Sequence, residues 1–247
     1  MKLLAVGDIH YNLKQFDWLL AVAPKYDALI IAGDLLDIAS YLDLDSQIIV
    51  VEKYLDRLSK LAQLIVCSGN HDGDTKNSDN EFVANWLSCP KNRTIVGDYN
   101  SITIGDWHFS VCPWWDGPTT RQAVKVFLEA EASKVQSKWF VIHHAPPSNS
   151  PISWTGKRDL GDTDLRDFIL DHKPNIVLSG HIHNAPFRNG GCWYDHIGKT
   201  WAFNGGRQIG ELPAYLAFDL DADLVQWESL AGSESLDLSR GDSSVID

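Results

Sequence analysis

Five unbroken apolar runs of strand length recur along the chain: KLLAVG (2–7), ALIIAG (28–33), QLIVCSG (63–69), WFVIHH (139–144) and NIVLSGH (175–181). Runs without polar alternation suit strands buried on both faces. Between them the apolar positions change to helical spacing. Residues 13–23 place Leu13, Phe16, Leu19, Leu20 and Ala23 at i, i+3 and i+4 intervals. A second helix is predicted over 46–62 behind Ser46, a third over 119–135, and a fourth over 163–170 between a capping Asp162 and Pro174. SITIGDWHFSV (101–111) predicts a hairpin turning at Gly105-Asp106, and KTWAFNGG and AYLAFDL add strands near the C-terminus. The pattern is that of an α/β protein with added antiparallel strands, and a two-sheet sandwich with helices outside satisfies it. One domain is expected over residues 1–232, followed by a polar, flexible tail over 233–247.

Composition narrows the function classes. The 247 residues are 44% hydrophobic and 22% charged, as in an ordinary globular protein large enough for a sizeable core. No run approaches the roughly 18 apolar residues of a membrane span. The first apolar run is too short for a signal-peptide core, so no membrane association and a cytoplasmic location are expected. Cys67, Cys89, Cys112 and Cys192 are scattered without metal-site spacing and are expected to be reduced and structural. The formal charge of −12 argues against general nucleic-acid binding, which needs a basic face. An anionic substrate would need a local source of positive charge.

The five apolar runs share an ending. They deliver Asp8 and His10, then Asp34, then Asn70, His71 and Asp72, then His143 and His144, and finally His181 and His183. Binding sites in open α/β sheets form just beyond the carboxyl ends of strands. Gly7, Gly33, Gly69 and Gly180 allow sharp turns there. His108 and His196 match no such pattern and are expected to be structural. Each ending alone is weak, because a lone strand-end histidine is more often surface than ligand. All five together predict a cluster of imidazole, carboxylate and amide oxygen, a set that suits Mn²⁺, Fe or Zn²⁺. Some seven such groups are too many for one ion and suit two that share a carboxylate. Two divalent cations would also make the site locally positive within an acidic protein.

This order of motifs resembles the calcineurin-like metallophosphoesterase superfamily over residues 5 to about 206. The resemblance implies a four-layer αββα sandwich of two mixed β-sheets flanked by helices. It further implies that Asp8, His10 and His183 hold one metal, that Asn70, His144 and His181 hold a second, and that Asp34 bridges them. His144 rather than His143 follows from aligning HHAPP on its prolines. His71 would sit over the phosphate rather than ligate. FNGGR (203–207) stands where relatives often carry Asn-Pro-Gly-Ser.

The implied reaction is hydrolysis of a phosphoester by a hydroxide bridging two divalent metals, with Mn²⁺ as the expected pair and Fe or Zn²⁺ as alternatives. His71 would donate a proton to the leaving oxygen or hydrogen-bond a nonbridging one. Asp72 would orient its ring or, alternatively, cap a helix start. The expected substrate is a small phosphorylated molecule or nucleotide, in first place a phosphodiester. A nuclease or phosphomonoesterase of the same fold is the alternative, and a non-catalytic scaffold a further one. Scaffold relatives typically lose ligands, whereas this chain keeps the full set. Trp114 and Trp115 could stack on a base or sugar, but packing beneath the loop is the expected role. Lys157, Arg158 and Arg207 could hold a second phosphate, but solvated surface charge is the expected role of each.

Overall fold

The computed structural model describes residues 1–92, 94–240 and 245–246. The N-terminal half runs β1 (Lys2–Val6), α1 (Leu13–Val22), β2 (Ala28–Ala32), α2 (Leu44–Leu58), β3 (Gln63–Cys67), β4 (Thr75–Lys76), β5 (Phe82–Val83), α3 (Asn85–Ser88), β6 (Ser101–Ile104) and β7 (Trp107–Cys112). It continues through α4 (Pro118–Lys134), β8 (Lys138–His143), α5 (Thr163–His172), β9 (Ile176–Ser179), β10 (Tyr194–Ile197) and β11 (Thr200–Asn204). The last strands are β12 (Tyr215–Asp219), β13 (Leu224–Ser229), β14 (Gly232–Asp237) and β15 (Val245–Ile246).

Two mixed sheets result, one ordered β15-β14-β13-β12-β1-β2-β3 and the other β10-β11-β9-β8-β7-β6, with β4 and β5 forming a separate hairpin. The apolar runs explain the layering. Alternate residues of a strand face opposite sides. Leu3, Ala5, Ile30 and Ile65 of the first sheet meet Phe109, Phe140, Ile142 and Phe203 of the second in a central core. The intervening Leu4, Val6, Leu29, Ile31 and Val66 face outward onto Phe16, Leu19, Val51 and Leu55 of α1 and α2. Val141 and Val177 likewise lie under Val124 and Leu128 of α4 and Leu165 and Ile169 of α5. Helix, sheet, sheet and helix therefore stack as the resemblance implies.

Three expectations change. The second helix begins at Leu44, not Ser46, because the Asp43 carboxylate accepts the Ser46 N–H at 2.8 Å and caps the helix two residues earlier. Its last residue is Leu58, short of the expected 62. The expected loose tail is ordered at its start: β14 pairs residue by residue with β13, and Leu236 is fully buried. A polar strand with a single apolar residue facing inward does not show as an apolar run. Most of the tail beyond Arg240 lies outside the described residues.

Candidate metal centre

Within the first sheet β1, β2 and β3 run parallel, and within the second β7, β8, β9 and β11 do, so each sheet gathers its loops at one edge. The two edges meet. The His181 N–H donates to Asp8 Oδ1 at 3.0 Å, and His144 Nδ1 lies 2.7 Å from the Ala32 carbonyl. The chain turns abruptly to do this. Asp8, His10, Asp34 and His181 all adopt left-handed backbone, with φ of 55°, 46°, 54° and 66°. Non-glycine residues there carry strain of a kind that concentrates at functional sites. Gly69 admits no side chain, since a Cβ would collide with the Asp34 carboxylate and come within 2.8 Å of His144 Nε2.

The seven expected ligands converge. Ligand atoms of Asp8, His10, Asp34 and His183 all lie within 4.8 Å of one another. His10 Nε2 stands 3.1 Å from His183 Nε2, and His183 Nε2 3.2 Å from Asp8 Oδ1. On the other side His144 Nε2 is 3.2 Å from Asp34 Oδ2, and His181 Nδ1 is 2.8 Å from Asn70 Oδ1. Two donors about 2.1 Å from one ion and near-perpendicular or tetrahedral to each other stand about 3.0–3.4 Å apart. The separations of 3.1 and 3.2 Å fit that spacing, and His181 and Asn70 stand closer, at hydrogen-bond distance. Asp34 Oδ2 belongs to both groups, 3.5 Å from His10 Nε2 and 3.2 Å from His144 Nε2. Its other oxygen is occupied by the His71 N–H at 2.8 Å.

The imidazoles of the cluster differ in protonation. Burial pushes His10 and His181 down to about 4, so both are neutral imidazoles with a free lone pair. Burial also opposes charge on His144, but the carboxylates of Asp34 and Asp8 outweigh it and raise its pKa to about 9. His144 Nδ1 lies 2.7 Å from the Ala32 carbonyl, which only accepts, so Nδ1 carries the proton there and Nε2 faces Asp34. A carbonyl behind a ligand imidazole is the usual support in metal sites. Asp34 is held well below the carboxylate range: burial raises it, and the neighbouring His144 and His71 overcome that. Asp8 Oδ2 and His144 Nε2 are buried without a hydrogen-bond partner among the described residues. Polar atoms left so are costly unless something else satisfies them, and a cation would.

Two readings from the sequence need correction. Asp72 does not orient His71. Its carboxylate is fully buried and accepts the backbone N–H groups of Leu35 and Leu36 at 2.9 Å and of Gly69 at 2.8 Å. It caps no helix either, but staples the loop after β2 to the loop after β3, and burial with the charge of Asp34 raises its pKa to about 8. The carboxylate near His71 is that of Asp37, with Oδ1 3.8 Å from Nδ1, and the two join His10 in a second close group. The Ile38 N–H donates to His71 Nδ1 at 3.2 Å, which places the ring proton on Nε2, and the His71 ring lies edge-on to His10 at 4.4 Å. Asp37 carries no strand-end signal, and only the fold of its loop brings it here.

His143 points away from the cluster, its ring 4.0 Å from that of buried Trp115. Trp114, by contrast, is half-buried beside the site, 5.1 Å from His181 and 5.8 Å from His144, so one of the two tryptophans packs and the other borders the cluster. His108 bonds Glu131 at 2.7 Å and His196 stacks on Trp201, both away from the centre. All four cysteines are free. Among the described residues no helix is long and apolar enough to cross a membrane.

Fold and site together define a two-sheet α/β protein with a polar, metal-competent cluster where the sheet edges meet. The family model for calcineurin-like phosphoesterases matches residues 1–185, and the chain belongs to that family. Protein TT1561 of Thermus thermophilus is similar in structure, with a TM-score of 0.59 at 15% identity over 100% of this chain and 98% of its own. A dimetal phosphatase from Danio rerio gives 0.53 at 10% identity, over 92% of this chain and 95% of its own. GAP50, the anchor in the inner membrane complex of Plasmodium, also gives 0.53 at 10% identity, over 100% of this chain and 87% of its own. At such identities the likeness bears on the fold alone. No curated protein matches the chain at the sequence level.

Proposed function

We propose that the protein is a binuclear metal-dependent hydrolase of phosphoesters, acting on a small phosphorylated molecule or nucleotide and in first place on a phosphodiester. Family membership supports phosphoester hydrolysis, and the dimetal phosphatase among its fold neighbours agrees with two ions. The observation that carries the binuclear reading is Asp34 Oδ2, which lies between the two groups, 3.5 Å from His10 Nε2 and 3.2 Å from His144 Nε2. Asp8, His10 and His183 would hold one ion; Asn70, His144 and His181 would hold the second. When bound, two divalent ions, in first place Mn²⁺, supply an activated water and positive charge for the phosphoryl oxygens.

The chain's own groups do the rest. His71, with its proton on Nε2 and its side chain 19% exposed, is placed to donate to a leaving oxygen. The Ile38 N–H, donating to Nδ1, fixes that tautomer from behind. His183, 32% exposed, and His71 form the open side through which a substrate reaches the centre. Elemental analysis of the purified protein should find close to two divalent ions per chain, and Asp34→Ala should lower both occupancies. One tightly held ion, unchanged in Asp34→Ala, would overturn the shared carboxylate.

A further inference from the structure

The turn between β11 and β12, where this chain has Asn-Gly-Gly-Arg, is fastened to the candidate centre. Asn204 is fully buried, and its side-chain amide faces the carbonyls of Gly180 and Ile182, both at 3.1 Å, on either side of His181. Its Oδ1 accepts the Gly206 N–H at 2.9 Å. Gly206 has φ +70°, and a Cβ there would come within 2.8 Å of Pro186 and 3.0 Å of the His183 carbonyl. Glycine is what lets the backbone pass so close. The next residue, Arg207, donates its backbone N–H to that same His183 carbonyl at 3.0 Å. Beyond it the Gln208 carbonyl accepts from Gln15 Nε2 at 3.0 Å, a side chain only 2% exposed in α1.

This much fastening delivers one cation. Arg207 is half-buried, and among the described residues no carboxylate lies within ion-pair distance of it, although the chain has 33 acidic residues against 21 basic. A surface arginine in an acidic protein would be expected to pair with a neighbouring acid. One fastened through its backbone to the carbonyl of His183, with no acidic partner among the described residues, is poised for an anion that comes from outside. The guanidinium offers a planar fork of donors that matches phosphate.

We propose that Arg207 binds a nonbridging oxygen of the substrate's phosphoryl group at the metal centre, and that the Asn-Gly-Gly turn exists to place it there. The inference rests on the phosphoesterase reading and adds to it a binding residue outside the metal ligands. A developing phosphoryl charge met by a preorganised donor is stabilised where water would have to reorganise.

The test uses Arg207→Gln and Arg207→Lys in the Mn²⁺-loaded protein. Metal content, calorimetric affinity for inorganic phosphate, and kcat/KM for an aryl phosphodiester are measured on each. Arg207→Gln should keep its metal, bind phosphate roughly 10-fold or more weakly, and lose on the order of 10²–10³ in kcat/KM, the usual effect of removing one such donor. Arg207→Lys should fall between, since it keeps the charge without the fork. Equal phosphate affinity in all three proteins at equal metal content would overturn the assignment of Arg207 alone. A wild-type protein that loads metal yet neither binds phosphate nor hydrolyses any phosphoester would overturn the phosphoesterase reading, and this inference with it.

Discussion

His143 and His144 are neighbours in the chain with opposite surroundings. His143 closes β8, buried against Trp115 on the side of the outer helices, and burial holds its pKa down at about 3. His144, one residue on, turns into the cluster with Nδ1 on the Ala32 carbonyl and Nε2 toward Asp34. Successive residues of an extended chain face opposite ways, so one of the pair had to miss the site. Replacing His144 by Ala should leave close to one ion per chain and lower activity by orders of magnitude. His143→Leu, which keeps bulk in an apolar pocket, should retain both. Elemental analysis of the two variants in parallel decides this, and the reverse ranking would refute the proline-based choice of His144.

Two buried glutamines on the outer helices hold the loops on either side of the centre. Gln15 of α1 fastens the Arg207 turn, and Gln47 of α2 fastens the loop after β2. Gln47 is fully buried; its Oε1 accepts the Asp37 N–H at 2.9 Å while its Nε2 donates to the carbonyls of Asp37 at 3.0 Å and Leu42 at 2.8 Å. Removing it leaves Asp37 backbone groups unpaired and frees the carboxylate behind His71. Gln47→Leu should therefore cost about 1–3 kcal/mol of stability. It should also lower the rate with a poor leaving group while metal content stays unchanged. Denaturant unfolding beside elemental analysis separates the effects, and a simultaneous loss of metal would show that the loop supports the ligands themselves. Neither glutamine announces its role in the sequence, where it reads as one polar residue in an amphipathic helix. The strands were legible because burial on both faces leaves unbroken apolar runs, and the clustered polar side chains because each run ends in one. Asp37, the true surroundings of Asp72 and the mounting of Arg207 were not legible. They depend on how loops from distant parts of the chain meet, which no local spacing encodes.

At the scale of the whole molecule the question is how a chain of net charge −12 attracts a phosphate. Two divalent cations would reverse the sign locally, and Arg207 adds one guanidinium, but the motifs bring no cluster of arginines or lysines. That distribution bears on the substrate. A monoester dianion leaves through a loose transition state and depends on positive charge around three equatorial oxygens. A diester carries one negative charge, and its alkoxide leaving group gains from a proton donor, the role proposed for His71 Nε2. Bis-p-nitrophenyl phosphate should therefore be hydrolysed at least as fast as p-nitrophenyl phosphate in the presence of Mn²⁺, and a strong preference for the monoester would sink the diesterase reading. His71→Ala sharpens the test. With a p-nitrophenolate leaving group, which departs without help, the loss should be small. With an alkyl leaving group it should approach the roughly 10²–10⁴-fold worth of a positioned general acid. Equal losses on both substrates would mean that His71 positions the phosphate and that the leaving oxygen takes its proton from water.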